Sequence, residues 1–287
     1  MGWRSLQEFI LALEQRGELL RVSHPVDVEL EAGCIADLLV KRGGPAVIFD
    51  QPRLGDGSIS RYPLAMNLFG TRDRTNLALG VVEPKEIGEM MTGLMKPDIG
   101  GILRRPWTGL GLLRQGISMA PRKVSRGKCQ QVRMDNPDVT RLPIPTSWPQ
   151  DGGPFMTLPL VVTSDPETGV HNLGMYRSQV FGPDEVGLHW QKHKHGADHA
   201  EASDDRMPVA ICLGGPPQVI FSAISPLPDN LSEYEFAGLL SGRRLKITKC
   251  LTNDLWVPAD CDFVIEGYTL PSEKRIEGPF GDHFGHY

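Results

Sequence analysis

Residues 170–199 hold the densest group of side chains able to bind a metal, move a proton or pair with an anion. Four of the chain's eight histidines lie there within eleven residues, and these are His189, His193, His195 and His199. An extended backbone over 186–195 would put the first three on one face together with Gln191, whereas a helix would align His189 with His193. Either geometry predicts that imidazoles gather at one place.

Two interpretations of this histidine group stay open from the residues alone. Histidines four apart suit zinc, so a zinc hydrolase is one of them, although the sequence has no H-E-x-x-H motif and no obvious third ligand nearby. The other is a polar loop whose imidazoles lie at the surface or support other groups. Serine-hydrolase, P-loop and dinucleotide-binding motifs are absent, so those chemistries have no support.

Two carboxylates, Glu277 and Asp282, stand five residues apart near the end of the chain. Pro279 and two glycines between them preclude a helix, and a tight bend can bring the carboxylates together. Because adjacent carboxyls do not both ionise easily, we expect the pKa of one to rise until it can act as a general acid. The alternative is that Asp282 is only a turn residue.

The amino-terminal pattern predicts an α/β unit that precedes these chemical groups. Residues 5–8 form a capping box before apolar residues at helical spacing, and Gly17 ends that helix. A second helix over 30–42, a strand over 45–49 and a third helix over 84–95 follow. Residues 96–121 and 143–159 are rich in breakers, and we expect irregular structure there. The sequence therefore predicts a domain over 1–120.

The pattern beyond residue 120 changes to strands. Apolar or β-branched runs bounded by turn residues predict six of them, over 158–163, 174–181, 186–191, 209–213, 245–251 and 263–268. A helix is predicted to open near Ser232. Residues 121–287 therefore read as a β-rich, barrel-like domain with one or two inserted helices.

Composition excludes several classes of protein. The 287 residues are 40% hydrophobic with a net charge of -5, which fits a globular protein and gives no footprint for nucleic acid. The five cysteines lack any C-x-x-C pair, which argues against a disulfide framework and a cysteine zinc site. Neither a secretory signal nor an apolar run of roughly 20 residues is present, so we expect a cytoplasmic protein.

Eight ordered blocks spread over the chain carry a resemblance to a known family. They are LQEFILALEQRGELLRV, RGGPAVIFD, MNLFGT, RLPIPTSWPQDGGPF, HNLGMYRSQV, HWQKHKHG, SPLPDNLSEYEFAGLL and EGPFGDHFGHY. Together they resemble the UbiD family of carboxy-lyases, which use prenylated FMN, and most of all its members acting on quinone precursors. The resemblance implies an α/β domain followed by a split β-barrel related to flavin reductases.

The resemblance also implies a reaction and its partners. It is the non-oxidative decarboxylation of a hydroxylated aromatic acid, prenylated in many members, in ubiquinone or menaquinone biosynthesis through a covalent adduct with prenylated FMN. A flavin prenyltransferase would supply the cofactor. The full-length protein would form a homo-oligomer, with at most peripheral association with membranes.

Residue roles follow by matching motifs to the family. Asn172, His193 and Glu233 match its metal ligands, a mostly hard set suited to Mn²⁺ or Mg²⁺, with K⁺ as a further candidate ion. Its cofactor contacts match Met175, Tyr176, Arg177, His189, Trp190, Gln191, Lys194 and His195. Its catalytic residues match Arg177, Glu277 and Asp282. Arg177 would orient a substrate carboxylate or hold Glu277, and Asp282 would donate the proton.

The chain departs from the family in its length, because it stops well short of a typical family member. We expect the carboxyl-terminal part that completes the barrel to be missing, and therefore a fragment or one half of a split protein. The competing interpretation of function is a non-catalytic flavin-binding subunit, or an inactive fragment that needs a carboxyl-terminal partner.

Overall fold

The computed structural model describes residues 2–95, 106–190, 195–203, 205–228, 231–270, 272–282 and 284–287. Within these ranges the strands form four small sheets surrounded by helices. None of these sheets closes on itself as a barrel. No described helix is long and apolar enough to cross a bilayer.

The amino-terminal sheet contains three strands, β1 (Leu19–Asp27), β2 (Ala46–Arg53) and β3 (Leu64–Met66). β1 and β2 are parallel and are joined by α2 (Glu31–Lys41), as a parallel pair requires. β3 adds an antiparallel edge. The predicted second helix and the strand at 45–49 are confirmed, whereas β1 and β3 were not predicted.

The first helix, α1 (Leu6–Gln15), begins where the capping pattern predicts. The Ser5 side chain accepts a hydrogen bond from the amide of Glu8 at 3.2 Å. The Glu8 carboxylate accepts from the amide of Arg4 at 2.5 Å, not from Ser5, so only half of the predicted capping box forms. Phe9 and Leu13 lie one turn apart and are fully buried. Their burial gives the helix its apolar face.

Three further helices precede the β-rich part: α3 (Arg72–Leu79), α4 (Lys85–Met95) and α5 (Pro106–Met119). The predicted third helix is confirmed as α4. The expectation of irregular structure over 96–121 is wrong where the chain is described, because α5 occupies fourteen residues of it. Proline at the first position of a helix is tolerated, and Pro106 marks this start.

The β-rich part contains three sheets. Its strands are β4 (Arg122–Val124), β5 (Phe155–Met156), β6 (Leu160–Ser164), β7 (His171–Met175), β8 (Ser178–Val180), β9 (Val186–Leu188), β10 (Met207–Leu213), β11 (Lys246–Lys249), β12 (Trp256–Pro258) and β13 (Phe263–Thr269). The sheet orders are β13-β10-β6-β7, β12-β11-β4 and β5-β8-β9. All six predicted strands are found, but the run 174–181 is split between β7 and β8.

Three more helices cover these sheets: α6 (His195–Glu201), α7 (Pro217–Ser222) and α8 (Glu233–Ser241). Ser232 caps α8 and forms a complete capping box with Glu235, so the helix predicted near Ser232 is confirmed. A core of buried side chains from β6, β7, β10, β11 and α8 fills the space between the sheets. Cys212, Cys250 and Cys261 are buried free thiols within it.

Gly238 lets α8 pack directly on α5. A Cβ there would overlap the carbonyl oxygen of Ser118. We therefore expect Gly238→Ala to lower the free energy of unfolding by about 1–3 kcal/mol, although alanine is the better helix former. Urea unfolding measures this change. The matched control is Gly116→Ala in α5, where a Cβ would meet nothing within 4 Å and stability should stay equal or rise. Equal effects of both substitutions would contradict the packing argument.

Candidate active site

Arg177 is the second of the two residues that separate β7 from β8, so it belongs to neither strand. Its guanidinium contacts the Glu277 carboxylate through two hydrogen bonds, Nε to Oε1 at 2.7 Å and Nη2 to Oε2 at 3.0 Å. The Glu277 side chain is only 13% exposed. A bidentate pair of this kind fixes both orientation and distance. Residues one hundred positions apart are thereby joined.

His189, just after β9, completes this group. Its Nδ1 lies 2.7 Å from Glu277 Oε2, so one carboxylate contacts both a guanidinium and an imidazole. The guanidinium of Arg177 also lies 4.7 Å from the ring centroid of Phe280, which in turn packs on Phe155. The aromatic ring supports the cation from one side. The sequence leaves two functions open for Arg177, orienting a substrate carboxylate or holding Glu277. These contacts correspond to the second.

The charge state of Glu277 follows from these contacts. Partial burial raises the pKa of its carboxyl, but the hydrogen bonds and charge of Arg177, with those of His189, outweigh burial and lower the pKa below its ordinary value of 4.5. Glu277 is therefore not the member of the carboxylate pair whose pKa is expected to rise. The cation next to it decides the direction, and Glu277 is ionised at neutral pH.

This lowered pKa predicts an acid-dependent loss of stability. A carboxyl with a depressed pKa in the folded state stabilises the fold above its unfolded pKa, and that contribution disappears as the pH falls through the folded value. We expect the difference in unfolding free energy between the native chain and Glu277→Gln to shrink as pH drops from 7 to below about 4.5. Urea unfolding across that pH range measures it. A difference independent of pH would contradict the assignment.

The segment that carries Glu277 is held by two polar side chains that the sequence did not single out. Gln179 in β8 accepts from the amide of Gly278 at 2.8 Å and donates to the carbonyl of Gly152 at 2.8 Å. Asp151 accepts from the amide of Gly281 at 2.7 Å. Glutamine and aspartate within turn-rich sequence give no recognisable signal, so only the structure identifies them.

Asp282 lies at the start of the last turn. Its Oδ1 accepts from the amides of Phe284 at 2.8 Å and His286 at 2.9 Å. Its side chain is partly buried. These hydrogen bonds are the ones that the turn interpretation of Asp282 predicts. Glu277, in contrast, is directed towards Arg177 and His189.

Asn172 in β7 lies close to Glu233 in the first turn of α8. Glu233 Oε2 accepts a hydrogen bond at 3.3 Å from the amide of Leu173, the residue that follows Asn172. Asn172 is 6% exposed, so its side chain is almost fully removed from water. The oxygens that Asn172 and Glu233 offer are an amide and a carboxylate, the ligands that a hard cation prefers, so the pair fits a site for such a cation.

His193, the third expected ligand, lies outside the described residues, as do Gln191 and Lys194. Of the histidine, cysteine and acidic side chains that are described, no three form a group able to hold a metal. Neither the amide of Asn172 nor His193 is among those side chains. His195 begins α6, and the structure does not describe its side chain. The predicted strand at 186–191 is described as β9, which ends at Leu188.

The other residues expected to contact a cofactor surround Tyr176. Its ring meets that of Trp190 edge to face at 5.0 Å, and its hydroxyl accepts from the amide of Gly196 at 3.2 Å. A Cβ at position 196 would lie 2.7 Å from the Trp190 ring, so the close approach of the backbone to this ring requires glycine. Met175 packs against the core at the end of β7. His199 is instead a buried supporting group, with Nδ1 at 2.9 Å from the hydroxyl of Thr163.

Comparison with known proteins shows the family of this chain. The profile of the 3-octaprenyl-4-hydroxybenzoate carboxy-lyase Rift-related domain matches residues 122–287, and that of the N-terminal domain of the same enzyme matches residues 10–92. The chain belongs to the UbiD family. An uncharacterized protein of Archaeoglobus fulgidus is 43% identical over the whole chain, which spans 59% of that relative.

Two solved UbiD-class structures share the fold. Vanillic acid decarboxylase of Sedimentibacter hydroxybenzoicus in its closed form matches with a TM-score of 0.83 and 30% identity, over 98% of this chain and 58% of its own. An evolved dimeric form of HmfF from Pelotomaculum thermopropionicum, in complex with prFMN, matches with a TM-score of 0.81 and 26% identity, over 99% and 62%. The expected UbiD fold class is confirmed. This UbiD chain spans about three-fifths of these relatives.

Proposed function

We propose that the protein containing this chain decarboxylates a hydroxylated aromatic acid, prenylated or not, with prenylated FMN as cofactor, in quinone biosynthesis. The observation that carries the proposal is the Glu277 carboxylate held by Arg177 and His189 in a member of the UbiD family. The named UbiD-class relatives support it, because one decarboxylates vanillic acid and another binds prFMN. We also propose that the protein is a homo-oligomer in the cytoplasm. A flavin prenyltransferase would supply its cofactor.

Asn172 and Glu233 would hold a divalent cation, Mn²⁺ or Mg²⁺, with His193 as the third ligand and K⁺ as a further candidate ion. The cation would link the protein to the flavin phosphate. Support comes from the contact of the Glu233 carboxylate with the amide of Leu173, the residue that follows the buried Asn172. The flavin would contact Met175, Tyr176, Arg177, His189 and Trp190, together with Gln191, Lys194 and His195.

Prenylated FMN, when bound, supplies the electron sink that accepts the electron pair of the breaking bond to the carboxylate. The chain's residues bind and move protons around it. Arg177 holds Glu277 as a fixed anion and cannot lose its own proton near neutrality. As Glu277 is ionised, the proton donor in this proposal is Asp282, which gives its proton to the ring carbon that has lost carbon dioxide and regains one from solvent.

The experiment that tests the proposal is expression of the complete protein with a flavin prenyltransferase and Mn²⁺. We expect release of carbon dioxide from 4-hydroxybenzoate or a prenylated derivative, and its loss when Arg177 is replaced by alanine. No turnover with any aromatic acid, despite a bound modified flavin, would overturn the enzyme proposal. That outcome would favour the competing interpretation, a flavin-binding subunit without catalysis.

A further inference from the structure

Gln179 joins two glycine-rich segments that are distant in sequence. Its side chain is 3% exposed, and both ends of its amide are used. Nε2 donates to the carbonyl of Gly152 at 2.8 Å, and Oε1 accepts from the amide of Gly278 at 2.8 Å. Both hydrogen bonds are partly shielded from water, so leaving either group unpaired costs free energy. Gln179 is thus a two-ended bridge.

The two segments touch directly beside this bridge. A Cβ at Gly152 would overlap the carbonyl of Gly278, and the Gly152 amide donates to the carbonyl of Pro279 at 2.8 Å. Asp151 adds a second tie, because its Oδ1 accepts from the Gly281 amide at 2.7 Å. Its Oδ2 accepts from the amide of Trp148 at 2.9 Å. The backbone from Gly278 to Gly281 is therefore fixed to the loop at 151–152.

The bridge matters because it connects the backbones next to the two charged residues. Gly278 directly follows Glu277, and Gln179 lies two residues after Arg177. One side chain therefore fixes the distance between the backbones that carry the cation and the anion. A bidentate ion pair needs that distance to be right to within about half an ångström.

We propose that Gln179 is a positioning residue that sets the register of Glu277 against Arg177. It acts through the backbone of Gly278 and does not itself meet the substrate. The effect of Gln179 on the ion pair stands on the geometry above, while its effect on turnover rests on the proposed function. The two effects are measured separately.

The test uses Gln179→Met, which keeps the length of the side chain and removes both hydrogen bonds. The first readout is the pKa of Glu277, followed by NMR of ¹³C-labelled carboxyls and assigned with Glu277→Gln. We expect the pKa to rise towards its ordinary value, because Arg177 no longer meets the carboxylate in register. In the complete, flavin-loaded protein we expect kcat to fall about 10- to 100-fold with KM changed less than twofold.

Two further variants make the result decisive. Gln130→Met is the matched control, because Gln130 also bridges two backbone groups, the amide of Gly127 and the carbonyl of Lys249, away from Glu277. It should leave both readouts unchanged. Gln179→Asn keeps the amide uncharged on a side chain one methylene shorter, which cannot reach both Gly152 and Gly278, so its Glu277 pKa should lie between those of the native chain and Gln179→Met.

The outcomes separate this proposal from the proposed function. An unchanged Glu277 pKa in folded Gln179→Met would overturn the positioning role, whether or not the protein is an enzyme. If Gln179→Met does not fold, Gln179→Asn decides by the same measurement. A shifted pKa together with a native protein that releases no carbon dioxide would support the positioning role and count against the decarboxylase.

Discussion

Asp282→Asn is expected to lower kcat by about 10²- to 10⁴-fold while the flavin stays bound, which is the range for loss of a positioned proton donor. An amide nitrogen does not give up a proton at neutral pH, so each turnover would be delayed after carbon dioxide has left, at protonation of the ring carbon. The measurement is release of carbon dioxide by the complete, flavin-loaded protein, normalised to the absorbance of bound flavin.

The substitution should leave the local structure intact. Asp282 Oδ1 accepts from the amides of Phe284 and His286, and the carbonyl oxygen of asparagine can accept the same hydrogen bonds. Asp165 provides a matched control, because its Oδ1 also accepts from two backbone amides, those of Glu167 and Thr168, in an exposed turn. Asp165→Asn should keep full turnover. Full turnover in Asp282→Asn would remove Asp282 from the proton-donor role.

The sequence predicts those helices and strands that depend on residues close to one another in the chain. The caps at Ser5 and Ser232 mark the starts of α1 and α8 because a hydroxyl that accepts from a nearby backbone amide is a property of a few residues. The predicted strands are found for the same reason, since alternation and turn residues are read within each run. β1 and α5 were missed because neither carries a clear periodic pattern. β1 forms by pairing with β2, and α5 packs on α8.

The candidate site was only partly predictable. Its residue types could be matched to a family, but the contact between Arg177 and Glu277 spans one hundred positions and depends on how β8 meets the carboxyl-terminal segment. The lowered pKa of Glu277 depends on the same distant residue, Arg177, so it could not be predicted from the residues around Glu277. Gln179 escaped notice because a buried bridging amide has no sequence signature.

The ligand proposal makes the second large prediction, that Glu233→Gln abolishes retention of the metal and with it most of the flavin. An amide oxygen carries no net charge and binds a hard divalent cation more weakly than a carboxylate does. The measurement is Mn²⁺ content by elemental analysis and flavin content by absorbance, both after gel filtration of the purified complete protein. Asn172→Ala should have the same effect.

The structure makes Glu233→Gln a clean test. Glu233 Oε2 accepts from the amide of Leu173, and a glutamine carbonyl can accept that hydrogen bond, so β7 and α8 should stay in contact. Glu235 lies in the same helical turn, where it completes the capping box with Ser232. Glu235→Gln therefore removes the same charge from the same helix end, two residues away, and should keep metal and flavin. Equal losses in both variants would mean that helix-end charge, not ligation, retains the cofactor. Retention in both would remove Glu233 from the metal site.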